Sequence, residues 1–357
     1  MPSTKILAIR SGSGALLALT LLLNTAHAET GSATAQHASS SKDEAPAPSA
    51  DCAHFYADIN ADLKAEMKAG CKPTEAQIGQ LMNNPVGNLV MFPLQNDYTR
   101  VKGGPIGNYK DVNRTQFIPT FPIKLNDDWN LINRISIPIV SEPVNKHIGG
   151  LFGDTPQQIA QDPKTQSIIN DPFSRTTGLG DITYVGLVAP SQGKKLGGDG
   201  VLIWGVGGTL MVPTASEAVQ GTGKYSAGPS AVLAYMGPEW ILGIFPQQWW
   251  SFASSKKDRP SVNMTNIQYF IQKKLDDAGK WHIGMTPNIS INWNAKGGGN
   301  KVNLPVGLGI NYTTKLAGIP IKYGFEVQYS VIQQSSMPGA RWNYRFVILP
   351  AIPKFLL

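Results

Sequence analysis

Residues 280–293 read KWHIGMTPNISINW, and the alternation inside this stretch decides the fold. Trp281, Ile283, Met285, Pro287, Ile289, Ile291 and Trp293 are all apolar. The interleaved Lys280, His282, Gly284, Thr286, Asn288, Ser290 and Asn292 are polar or glycine. Successive side chains of a strand point to opposite faces. The stretch therefore predicts one long strand, apolar on one side and hydrated on the other, with an indole at each end.

The same period of two runs outward from it, from Leu89 to the end of the chain. It predicts twelve strands: 89–102, 111–125, 129–140, 179–191, 200–212, 224–236, 240–252, 261–275, 280–293, 301–314, 320–333 and 341–354. KVNLPVGLGINYTT (301–314) and IKYGFEVQYS (321–330) alternate as cleanly as the opening stretch. The first, fourth, sixth and eighth strands alternate less cleanly. Strands of soluble domains run about 5–6 residues, and these are more than twice as long. Fourteen residues at ~3.3 Å each reach about 46 Å, and a tilt near 45° leaves roughly 33 Å of height, enough to cross the ~25 Å apolar band of an outer membrane. A soluble β-sandwich also alternates, but strand length and the tryptophans near strand ends (129, 240, 249, 250, 281, 293 and 342) count against it.

Connections alternate too. Asn126–Asp128, Gly237–Glu239 and Asp276–Gly279 are tight, whereas 141–178 is long. Short turns on one side and long loops on the other predict an all-β, 12-stranded antiparallel transmembrane barrel over 85–357, with both ends in the periplasm. Ahead of it, residues 1–28 have the basic start, short apolar core and Ala26-His27-Ala28 site of a cleaved secretory signal. Residues 29–50 are a small, polar linker, and 51–84 form a short periplasmic helical segment. There Phe55, Ile59, Leu63 and Met67 recur every four residues, and Thr74 caps a second helix carrying Ile78 and Leu81. The two cysteines, Cys52 and Cys71, are disulfide candidates, because thiols pair in an oxidising compartment. A straight helix over 53–68 would hold its ends roughly 24 Å apart. The disulfide and the continuous helix thus exclude each other, and the disulfide with a broken helix is the favoured reading.

The formal charge of +7 falls to +5 when Lys5 and Arg10 leave with the signal. Lys and Arg are scattered and the chain is exported, so nucleic acid is set aside as a partner. Outer-membrane lipids and a small-molecule solute are the expected partners.

Five stretches carry a family resemblance: NNPVGNLVMFPLQNDY (83–98), PIKLNDDWNLINRISIPIV (122–140), GLGDITYVGLVAPS (178–191), LIWGVGGTLMVPTAS (202–216) and GKYSAGPSAVL (223–233). In order and spacing they resemble a family of Gram-negative outer-membrane barrels to which transport is attributed, some of them tied to the meta-cleavage pathway of phenol degradation. The resemblance implies residence in the outer membrane and a transport role. One departure is the closing KFLL, where such barrels commonly end on an aromatic and Phe355 here stands two residues earlier.

No H-E-x-x-H and no G-x-S-x-G occurs, and His282 and Ser290 are about 26 Å apart along one strand. No catalytic residue, metal ligand or cofactor is therefore expected. The hydrated face instead offers Arg134, Lys280, His282, Lys322, Arg341 and Arg345, opposed by Glu326, with Arg114, Lys124 and Asp97 less securely phased. An excess of cations lining a lumen favours anions; mutual pairing that leaves no net field is the competing reading. The expected function is passive diffusion of small solutes, with anionic or aromatic cargo as the finer expectation. A non-conducting structural or adhesion barrel, or a barrel enzyme acting on lipid, is the alternative.

Overall fold

The computed structural model describes residues 52–58, 63–87, 89–103, 106–151, 154–197, 200–256, 259–297, 299, 301–334 and 339–353. The signal, the linker, Ile59, Phe152 and Phe355 lie outside them. Twelve strands form a closed up-and-down meander: β1 (Leu89–Met91 and Leu94–Gly103), β2 (Ile106–Phe117 and Thr120–Lys124), β3 (Trp129–Glu142), β4 (Thr176–Leu179 and Ile182–Pro190), β5 (Val201–Val212), β6 (Lys224–Met236), β7 (Trp240–Ser254), β8 (Asn263–Lys274), β9 (Trp281–Met285 and Asn288–Asn292), β10 (Val302–Leu316), β11 (Ile319–Ile332) and β12 (Gly339–Pro353). Each pairs antiparallel with the next. The seam closes where β12 meets β1, through Ala351↔Met91, Arg345↔Asp97 and Gly339↔Lys102. Closure leaves no open sheet edge, which is the condition for a sheet to sit in lipid.

Three spans break at a proline, and for one reason. Pro93, Pro119 and Pro287 have no N–H to give the ladder, yet their carbonyls still accept across the wall, from Ile118, Ile135 and Tyr269 at 2.8–3.1 Å. The break in β9 is tightened by Gly284, where a Cβ would stand 2.0 Å from the carbonyl oxygen of Ile271.

The outer face follows the sequence reading. Val306, Leu308 and Ile310 on β10, Tyr323 and Phe325 on β11, and Phe346 and Ile348 on β12 are exposed outward, Leu308 to 63 %. Trp240, Trp250, Trp281, Trp293 and Trp342 are also exposed near strand ends. Trp249 is not, since it turns inward and is buried. The inner face departs from expectation. It is mainly polar along β9–β11 and at Asn343 and Arg345 of β12, but along β3–β7 it carries an apolar cluster including Ile132, Val185, Leu187, Ile203, Val232 and Phe245.

The cysteines are joined, Cα to Cα 5.7 Å, and the helix that competed with the bond is broken into α1 (Ala53–Tyr56) and α2 (Leu63–Lys68). α3 (Glu75–Met82) starts at the Thr74 capping box: Thr74 Oγ1 accepts from Gln77 N–H, and Gln77 Oε1 accepts from Thr74 N–H. Gln77 Nε2 then donates to the carbonyls of Phe55 and Asp58, tying α3 to α1. No described helix is long and apolar enough to cross a membrane.

Candidate lumen binding site

The short-turn mouth of the barrel is occupied by the chain's own N-terminal segment. Ile78 and Met82 of α3 pack against Leu89, Met91, Leu349 and Ala351 of the seam strands. Gln80 Nε2 donates to the carbonyl of Gly237 in the β6–β7 turn. Beyond the helix, Val86 joins the apolar cluster of the interior, so the chain runs inside the lumen before it turns into β1. Two ion pairs fasten the module to the rim, Glu75–Lys280 and Asp58–Lys195, each 2.8 Å.

Over this floor lies a cavity of about 180 Å³. One side of it is apolar, with Ile132, Val185, Leu187, Val232, Ile241 and Phe245. The other is polar, with Gln268, Gln272, Thr286, Asn311 and Lys322; Arg134 rises from the apolar side, in register with Val185, and Met82, Asn83 and Pro85 contribute the floor. Beside it runs a network of satisfied charges. Arg345 Nε donates to Asp97 Oδ1 at 2.8 Å and its Nη1 to the carbonyl of Thr286 at 2.7 Å. Asn343 and Gln95 donate to the same Asp97 carboxylate. Glu326 accepts from the Thr286 N–H and hydroxyl and from Gln328. These bonds hold the kink of β9 inward, because Thr286 is the residue before its proline.

The sequence-expected lumen set is thereby sorted. Arg134 and Lys322 line the cavity. His282 faces inward and is buried. Arg345 and Glu326 are interior, but their charges are answered by Asp97, Thr286 and Gln328, so they do not act as a free ring. Lys280 and Arg341 are corrected: neither lines the lumen. Lys280 sits in the turn before β9, where Glu75 draws it to the rim. Arg341 lies in a β-bulge of β12, stacked 4.6 Å over the ring of Tyr329 and bonded to Gln333. Lys124 pairs with Asp127 in the β2–β3 turn. The long 141–178 connection does not constrict the cavity: its Gly149 packs on Ala218 of the neighbouring loop, and none of its described residues lines the chamber. The apolar half of the lining was missed. Its signal was present in ITYVGLVAP (182–190) and WILGIF (240–245), where both parities are apolar. Among the described residues no group of three or more His, Cys, Asp or Glu gathers in metal-binding geometry.

No family model matches the chain, and no curated protein does. Among solved structures it is similar to the COG4313 outer membrane channel from Pseudomonas putida F1, at 12 % identity over 75 % of this chain and 96 % of that one, TM-score 0.48. It is also similar to outer membrane phospholipase A from Escherichia coli, at 12 % identity over 78 % and 98 %, TM-score 0.38. A Pseudomonas aeruginosa FadL homologue follows at 10 % identity over 76 % and 91 %, TM-score 0.32. With TM-scores below 0.5, the fold stands on strand pairing and on the distribution of apolar surface in this chain.

Proposed function

We propose that this protein is an outer-membrane channel through which small solutes diffuse passively, without a cofactor and without catalysis. The observation that carries the reading is a closed barrel, apolar outside, whose interior is not a packed core but a chamber lined by two cations, Arg134 and Lys322, that have no carboxylate partner among the described residues. A barrel built only as an anchor or scaffold has no need of buried charge, which is costly to place. Export through a cleaved signal and insertion among outer-membrane lipids belong to the same proposal, as does an anionic or aromatic cargo in keeping with the family resemblance. The module in the short-turn mouth narrows the path, so the conductance is small. Recording from refolded protein in planar bilayers tests this: discrete steps are expected, with a reversal potential displaced toward chloride across a salt gradient. Absence of steps at high protein load overturns the channel reading, and a potential favouring potassium overturns the anion preference.

A further inference from the structure

Burying a cation in a lumen costs free energy unless an anion or a good set of hydrogen bonds answers it. Arg134 and Lys322 have neither in full. Arg134 lies 5.4 Å from the ring centroid of Phe245. Lys322, only 9 % exposed, reaches one neutral amide, Nζ to Asn83 Oδ1 at 2.9 Å. Among the described residues no carboxylate stands within ion-pair distance of either. The two nearby interior carboxylates, Asp97 and Glu326, are committed to Arg345, Asn343, Thr286 and Gln328. Arg134 rises from the apolar wall of Ile132, Val185, Val232 and Phe245, in register with Val185, whereas Lys322 stands on β11. A cavity of about 150 Å³ takes one benzene ring, and this one measures about 180 Å³.

We propose that the chamber binds a small monocarboxylate whose apolar body is about the bulk of one six-membered ring, with Arg134 and Lys322 holding the carboxylate and the Phe245 wall holding the body. This deepens the channel reading, on which it rests for the path by which the ligand arrives. Arg134 is suited to the carboxylate because its planar guanidinium offers two parallel N–H donors, whereas Lys322 acts as a point charge. A neutral ring would leave both cations unanswered, and a short polar anion would leave the apolar wall wet. The chamber therefore selects molecules that carry both features.

The test titrates folded protein in detergent by calorimetry with three probes: benzoate, benzyl alcohol with the same ring but no charge, and acetate with the charge but no ring. Saturable benzoate binding is expected, with benzyl alcohol at least about tenfold weaker, the smallest loss that removing one charge-assisted hydrogen bond produces, and acetate weaker by at least as much because the apolar wall is left unfilled. Arg134→Gln and Lys322→Gln should each weaken benzoate by about tenfold or more and leave benzyl alcohol unchanged. Equal affinity for the three probes, or no benzoate heat, overturns the proposal, and that arm needs no variant. Bilayer recording on the same preparation separates the two readings. Ionic steps insensitive to benzoate, with no heat, remove the site and leave the channel. Benzoate binding in a barrel that passes no ions supports the site and removes the channel.

Discussion

Leu308 stands on β10 with its side chain 63 % exposed on the outer face, and Asn288 on β9 belongs to the inward parity of His282, Thr286 and Ser290. A cation on the lipid face of a barrel costs ~2–4 kcal/mol near the midplane, whereas the lumen face tolerates it. Leu308→Lys should therefore cut the yield of the folded, heat-modifiable band in semi-native electrophoresis, and Asn288→Lys should not. Equal loss at both would mean that the assigned faces are wrong. The Arg345–Asp97 pair gives the opposite case of a charge that must stay paired. Both side chains are nearly closed off from solvent, at 6 % and 10 % exposure. Removing one partner of such a pair costs about 3–5 kcal/mol because the other is left buried and unanswered. Asp97→Asn should lower the urea midpoint of barrel unfolding clearly, and Asp97→Asn with Arg345→Met should recover much of the loss.

Among the elements, the disulfide-tied module and the broken spans show what sequence could and could not disclose. All twelve strands were legible, because a two-residue period over a dozen positions is a strong signal and every second connection or so is a short polar turn, as at Asn126–Asp128, Gly237–Glu239 and Asp276–Gly279. The inner lining of β4–β7 was not legible, because alternation reports a difference between two faces and vanishes when both are apolar. Lys280 and Arg341 were misplaced for a related reason: parity is meaningful only inside a continuous ladder, and one precedes its strand while the other sits in a bulge. The module's energetics divide unequally. Closing a loop with a sequence separation of 19 is worth on the order of 3 kcal/mol through the unfolded state, whereas the half-exposed Glu75–Lys280 clasp is screened by solvent and contributes far less. Cys52→Ser with Cys71→Ser should thus expose the α1–α2 region to trypsin at concentrations that spare the parent. The clasp should respond to acid. Its hydrogen bond from Lys280 holds the Glu75 carboxyl below the usual carboxylate range, so its contribution is present above that range and is lost as pH falls through the depressed value. Protection of the α3 amides, taken relative to their intrinsic exchange rates, should fall over that acid interval, and Glu75→Gln should already show the lower protection at neutral pH and remove the step.

On the scale of the whole molecule, the inner wall is mainly apolar along β3–β7 and mainly polar along β9–β11, and α3 packs against the seam strands at the short-turn mouth. Deleting residues 51–86 should enlarge the single-channel conductance, because the floor of the chamber is then gone; unchanged steps would show that the narrowest point lies elsewhere. The position of Val86 bears on how the molecule is made. Only two residues separate this buried side chain from Leu89, which pairs with Pro353 at the seam. The strand that zips the cylinder shut is therefore covalently continuous with the cylinder's own filling. The tether holds the leading stretch at the mouth at a high effective concentration, so the interior is filled without recruiting a separate partner.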